Sequence, residues 1–417
     1  GILLALRACY GLNMTIDPFV KFDRKNYFYS DLTKGYQITQ QYFPIGTLGS
    51  VTLDSGKVIR VNRLHMEEDT AKQTHSGAYT LIDYNRAGNP LVEIVSEADI
   101  NSGEEAVEFV SKVASILKYL DVSNVKMEEG SLRCDVNISL RPFGYEKFGN
   151  KVEIKNLNSL NNIDRAITYE IKRQADLLNS GEAVMEETRR FDEATATTVL
   201  MRAKDDTVDY SYFRDANILP IHLSEQFVKD VKDNLPELAS ERFERYLALG
   251  LKEYDADVLV NNKELSDFFD LMIAHTEDVQ TAANWVIGEV SAYLNKNNLE
   301  ITDSDLSAEQ LALLINSINN KIISGKQAKR VFEELVLGKE TKTVIKDLGL
   351  EVISDEGAIL AFINDAIEAN PQSVEDYRAG RDRALGFLMG QVMKLSQGKV
   401  DPKKTNILIK QQLDSML

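Results

Sequence analysis

Hydrophobic and polar positions alternate with a period of two in two nearby segments, residues 132–141 and 151–155. In the first, Leu132, Cys134, Val136, Ile138 and Leu140 share one side, while Arg133, Asp135, Asn137 and Arg141 share the other. In the second, Val152 and Ile154 alternate with Lys151, Glu153 and Lys155. This period places same-parity residues on one sheet face, so both segments read as strands with an apolar side and a charged side. The link at 143–150 is short enough to make them antiparallel neighbours. Strand-like runs also occur at KGYQITQQY, GSVTLDSG, KVIRVNRL, AYTLIDYN, PLVEIVS and TTVLMRAK, all before residue 235. Two helices are predicted among them. One covers about 103–120, opened by Ser102 with Glu105 three residues on as a capping box, and striped by Val107, Val110, Val113, Ala114, Leu117 and Leu120. The other covers about 160–179, striped by Ile163, Ile167, Ile171 and Leu178, with Gly181 just beyond its end.

After Pro236 the strand signals stop and the pattern is helical, with breaks near Gly250, Gly325, Gly349, Pro371 and Gly398. Gly288 and Gly390 fall inside helical patterns, where glycine costs ~1 kcal/mol relative to alanine. Close packing is the expectation at Gly288, and packing or contact with a partner at Gly390. The fold class expected is α+β: a mixed or antiparallel-sheet cradle over 1–235, an all-α region over 236–352 and a small helical tail over 353–417.

The apolar share of 43 % is enough for sizeable cores and carries no disorder signature. No apolar run approaches the ~20 residues of a membrane span. The opening GILLALRACYG reads as the end of an amphipathic helix and lacks an initiating Met, so the expectation is a chain cut at its front. Two cysteines, Cys9 and Cys134, without metal-type spacing suit a reduced, cytoplasmic protein, with Cys134 a small buried hydrophobe. Four scattered histidines add no zinc site; His65 could join the acids beside it, but a place at the surface or behind the ligands is the expectation. The net charge of −17 argues against indiscriminate nucleic-acid binding. The stretch 378–417 differs: eight cations against three carboxylates make it +5 and leave −22 for the rest, the distribution expected of a protein that docks a polyanion at one end.

Carboxylates gather in three places: Glu67, Glu68 and Asp69 after an apolar run, Glu93 inside PLVEIVS, and Asp135 with Glu153 on the two alternating strands. A carboxylate in an apolar run calls for a partner or a ligand. Any one of them is also what a solvated strand carries, so the case rests on having three. Cations interleaved with these acids suit a metal–phosphate site. No P-loop, Rossmann or Ser/Cys nucleophile motif occurs, so a nucleotide site here is built from sheets and loops.

Five motifs in order, FDRKNYFY (22–29), RLHMEED (63–69), PLVEIVS (90–96), KMEEGSLRCD (126–135) and ETRRFD (187–192), resemble the B subunit of tRNA-dependent amidotransferases, the GatB/GatE family. The likeness continues through SDFF (266–269), ANW (283–285) and GFLMGQVMK (386–394). It implies a ligase that uses ATP and Mg²⁺ to phosphorylate the side-chain carboxylate of Glu or Asp mischarged on tRNA. Ammonia, released from glutamine by a separate amidase (the A subunit), then displaces phosphate, in a heterotrimer completed by a small C subunit. The likeness also implies a YqeY-like tail that grips tRNA. Carried over by position, Glu68, Glu93, Asp135 and Glu153 are expected to bind metal. Glu68 and Asp135 are expected to serve phosphoryl transfer, and Lys25 to relay ammonia. Arg133, Lys151 and Lys155 are candidates for phosphate or carboxylate contacts, or for structural ion pairs. The family's Gly-Leu-Glu-Val-His opening is absent, and Ser30 and Arg214 stand where it has prolines. The alternative from another class is a non-catalytic tRNA-binding scaffold.

Overall fold

A computed structural model of the chain describes residues 1–203, 210–350, 353, 355–379, 381 and 383–416. Lys204, Asp209 and Asp382, which entered the sequence reading, lie outside the described residues. The chain is α+β and forms two compact units, Gly1–Glu241 and Arg242–Leu417.

The first unit carries the strands. They are β1 (Thr15–Ile16), β2 (Phe19–Val20), β3 (Asp23–Asn26), β4 (Tyr36–Thr39), β5 (Gly46–Thr52), β6 (Val58–Glu68), β7 (Lys72–Ser76) and β8 (Tyr79–Asp83). They continue as β9 (Pro90–Ser96), β10 (Cys134–Ile138), β11 (Val152–Leu157), β12 (Glu187–Asp192), β13 (Thr197–Ala203), β14 (Ser211–Arg214) and β15 (Ile221–His222). The helices are α1 (Ile2–Gly11), α2 (Gly103–Tyr119), α3 (Leu160–Asn179) and α4 (Glu225–Asp233). An antiparallel sheet runs β1-β5-β6-β9, and a mixed sheet runs β10-β11-β12-β13 with β11 and β12 parallel. Smaller pieces are β14-β3-β4, β15-β2 and the hairpin β7-β8. The parallel pair is joined through α3, because parallel neighbours need a crossover where antiparallel ones need only a turn.

Helix α2 is buried on two sides. Phe109, Val113 and Leu117 enter the core formed with α1 and the first sheet, while Ala106, with Val107 and Val110 at its edge, enters the core under the second sheet. The expected single stripe is therefore a broader belt. Its cap is half of the expected box: Ser102 Oγ accepts from the Glu105 N–H at 3.2 Å, but the Glu105 carboxylate accepts from the Asn101 N–H and pairs with Lys57. Helix α3 buries Ile163, Ala166 and Ile167, and also the polar Glu170 and Gln174.

The second unit is helical, with an isolated bridge between Ile353 and Val400. One core gathers Tyr246, Phe269, Leu311 and Val331, and another gathers Ile359, Ile363, Leu388, Val392 and Ile409. Gly288 lies exposed in a π-turn, Val286–Val290, and a Cβ there would meet nothing within 4 Å. Close packing is thus not why glycine stands at 288. Gly390 is equally open, which removes packing there too. Among the described residues, no helix is long and apolar enough to cross a membrane.

Candidate active site

A bulge in β6 decides which acids face each other. Ile59 and Val61 are buried, and strict alternation would turn 63, 65 and 67 the same way. The register with β9 shifts between Val61 and Arg63, and beyond it Leu64 and Met66 point into the core. A bulge adds one residue and exchanges the faces downstream. Arg63, His65 and Glu67 therefore share the other face, where His65 sits opposite Glu93 of β9. His65 Nε2 lies 3.8 Å from a carboxylate oxygen of Glu67 and 3.8 Å from one of Glu93. The three ligand atoms lie within 4.8 Å of one another, and His65 Nδ1 has no hydrogen-bond partner among the described residues. His65 is buried, 4 % exposed, which corrects the expectation of a surface histidine.

Tyrosines surround this group. Burial, with Asp31, Tyr210 and Glu67 nearby, pushes the Tyr27 hydroxyl well above its ordinary value. Tyr212 is raised by burial and by Tyr210, against the lowering influence of Arg63. Lys25 pairs in register with Tyr212, and its ammonium lies 4.8 Å from the Tyr210 ring centroid and 5.7 Å from that of Tyr27.

Glu68 is turned to the opposite face of β6. Its carboxylate accepts from the Ile38 N–H at 2.9 Å and pairs with Lys34, while its carbonyl accepts from Gln37, so it fastens β4 to the end of β6. Among the described residues it does not join the His65 group. Asp69 ends the motif by pairing with Arg133 at 2.7 Å, which links this strand end to the segment leading into β10.

On the second sheet, Asp135, Asn137, Glu153, Lys155 and Thr188 occupy the face turned from the core. Lys155 Nζ sits 2.7 Å from Asp135 and 3.2 Å from Glu153, and Thr188 Oγ1 donates to Glu153 at 3.0 Å. Burial would raise the Glu153 carboxyl, but Lys155, Thr188 and Arg202 outweigh it and hold it below its ordinary value. Burial would lower Lys155, and its two carboxylates reverse that too. Arg133 and Lys155 are thus engaged in ion pairs. Lys151, and Arg190 beside Lys155 in register, have no ion-pair partner among the described residues.

Behind this face, Glu170 is fully buried and accepts from Arg173, Gln174 and Thr198. Gln174 also accepts from the Leu140 N–H at 3.0 Å, so α3 holds the end of β10. Sequence reading counted Glu67 in its acidic focus but gave the metal to Glu68, and it passed over Thr188 and Arg190 as site residues. Glu67 and Glu93 are separable from Glu68 only through the bulge. Thr188 and Arg190 lie in ETRRFD, too charged to show a strand period.

The His65 group fits a divalent cation. Two carboxylate oxygens and an imidazole nitrogen converge there, no Lys or Arg among the described residues is within ion-pair distance of them, and a hard ion such as Mg²⁺ is held through the oxygens with water completing its shell. Asp135 and Glu153 already share a cation.

Residues 1–229 match the GatB/GatE catalytic domain, and residues 267–413 match the GatB domain. The B subunit of aspartyl/glutamyl-tRNA(Asn/Gln) amidotransferase from Staphylococcus aureus (strain MRSA252) is 50 % identical over 415 residues, 98 % of this chain and 87 % of the relative. The protein of the same name from Staphylococcus epidermidis is 50 % identical over 416 residues, 99 % and 88 % of the two chains. By these matches the chain belongs to the GatB/GatE family, among the B subunits of aspartyl/glutamyl-tRNA(Asn/Gln) amidotransferases.

Proposed function

We propose that this chain is the ligase component of an ATP-dependent amidotransferase, acting on Glu-tRNA(Gln), Asp-tRNA(Asn) or both. A carboxylate is a poor acyl donor because its leaving group would be oxide. Transfer of the ATP γ-phosphoryl group to one carboxylate oxygen makes phosphate the leaving group. Ammonia then attacks the carbonyl carbon, the C–O bond to phosphate breaks, and a proton leaves the new amide nitrogen. Phosphoryl transfer asks the protein mainly for positioning and for positive charge near the phosphoryl oxygens.

Each face supplies one of these needs. Glu67 and Glu93 with His65 would hold Mg²⁺, which supplies charge to ATP and to the developing phosphate. Lys155, Arg190 and Lys151 present cations to the phosphoryl oxygens. Asp135 and Glu153 hold Lys155 in place, and Glu68 fixes β4, which pairs with the Lys25 strand. Lys25, the tyrosine cluster and Glu67 form a polar route along which ammonia can take up a proton as ammonium and lose it again. We place an amidase partner as the ammonia source, with a small third protein in the complex, and assign the tail at 353–417, basic over its stretch 378–417, to the tRNA backbone.

The observation that carries this reading is the presence of both an acid–imidazole group and a cation-bearing face within one family-matched unit. A scaffold has no use for an acid–imidazole group left without a cation. The test is ATP-dependent amidation by the assembled enzyme: Glu67→Gln is expected to abolish it while tRNA binding survives, and unchanged amidation would refute the site.

A further inference from the structure

The link between β10 and β11 carries three aromatic side chains that the fold leaves in solvent: Phe143 fully exposed, Tyr145 66 % exposed and Phe148 67 % exposed. The loop has a defined shape. The Arg141 guanidinium donates to the Glu146 carbonyl and lies 4.9 Å from the Phe148 ring centroid. The Tyr145 N–H donates to the Pro142 carbonyl at 3.2 Å, and Asn150 ties the far end to the Val184 carbonyl at 2.8 Å. At Gly149 a Cβ would come within 2.1 Å of the Leu140 carbonyl oxygen, so only glycine lets the returning strand cross there. Among these aromatics stand Arg141, Lys147 and Lys151 against a single acid, Glu146, in a chain of net charge −17.

We propose that this loop is a stacking platform for the unpaired 3′-terminal nucleotides of the substrate tRNA, an inference that rests on the amidotransferase reading. Every base has a π-face, and exposed aromatics with Arg or Lys between them are how unpaired RNA is held. The charge favours RNA over a protein surface, because the cations complement a phosphate backbone. Position favours it as well. The reacting carboxylate belongs to an amino acid esterified to the 3′ end, and the loop joins the two strands that bear Asp135, Glu153 and Lys155. From Lys151 to Lys155 the strand covers about 13 Å, enough to span the ~10 Å between the first and last of four stacked nucleotides.

The test uses the assembled enzyme with intact tRNA and with the same tRNA trimmed of its unpaired 3′ nucleotides. The double variant Phe143→Ala/Tyr145→Ala is expected to bind intact tRNA at least about tenfold more weakly, to bind trimmed tRNA as the parent does, and to keep the KM for ATP. Phe143→Trp is expected to retain the parent's affinity. Both replaced side chains are exposed, so the thermal unfolding midpoint is expected to stay put. Equal affinity of parent and double variant for intact tRNA overturns the proposal. Failure of the complex to assemble with tRNA affinity kept also overturns it, and makes the loop a protein contact. A parent enzyme that neither binds nor amidates tRNA brings down the functional reading along with it.

Discussion

Two polar surfaces in the sheet-bearing unit are built from similar residues and reach opposite electrostatic ends. On β6 and β9, Glu67 and Glu93 face a buried imidazole with no Lys or Arg ion pair among the described residues. On β10 and β11, Asp135 and Glu153 close on Lys155. On the first surface no Lys or Arg among the described residues closes on the two acids, which leaves them open to a cation from outside. The second holds two acids on one lysine, and with Arg190 and Lys151 beside it the face as a whole can offer positive charge to an anion. Counting carboxylates would rank the two alike. Which acids already own a cation separates metal binding from phosphate binding.

The largest effect that sharpens this contrast is on activity. Glu67→Gln is expected to lower ATP-dependent amidation by about a thousandfold, the scale for losing a group that organises transition-state charge. Asp135→Asn is expected to cost about ten- to a hundredfold, since Lys155 keeps Glu153. Single-turnover amidation with saturating ATP measures both. Equal losses would erase the distinction.

Next in size is the support beneath the second surface. Glu170→Ala empties a buried site and leaves Arg173 and Arg189 with Glu187 alone, and is expected to destabilise the unit by about 1–3 kcal/mol in denaturant unfolding. The Glu170 carboxyl also sets a pH dependence. Burial would raise it, but hydrogen bonds from Arg173, Gln174 and Thr198 hold it below its ordinary 4.5. A depressed carboxyl contributes stability that is present above its unfolded-state value and lost as pH falls through its folded-state value. Glu153 has the same sign. Stability should therefore drop below about pH 4.5, and Glu170→Gln should flatten that acid limb. An unchanged limb would show that these two groups do not govern it.

The smallest effect concerns the tail. Replacing Lys394, Lys403 and Lys410 with Gln is expected to reduce the salt slope of tRNA binding by about two to three, if each meets one phosphate. Filter binding over a salt series measures it, and an unaltered slope would remove the tail from the tRNA contact.

Much of this was legible in the sequence. The eight strand-like runs each hold a strand, and the second long helix, Leu160–Asn179, lies where its Ile163–Ile167–Ile171 spacing put it. What was hidden has physical causes. Strands of two to four residues, such as Phe19–Val20 and Asp23–Asn26, are too short to show a period, and Glu187–Asp192 is too charged. Val107 and Val110 were read as one stripe with Val113, because a helix between two cores shows no single face. At the site, Glu93 was legible as a carboxylate in an apolar run, but Glu68 was favoured over Glu67. The bulge near Asn62 decides between them, and it changes which side chains meet without changing the motif. Lys155 was legible as a cation on the charged face, while its hold on both Asp135 and Glu153 follows from the strand register, Val136 against Ile154 and Asn137 against Glu153, which brings Lys155 level with Asp135.

The most direct test of the two-surface account is calorimetric titration of Mg²⁺ or Mn²⁺ into the protein and its variants Glu67→Gln and Asp135→Asn. The account expects Glu67→Gln to weaken divalent binding at least about tenfold, with Asp135→Asn close to the parent. Binding lost with Asp135→Asn and kept with Glu67→Gln would contradict it.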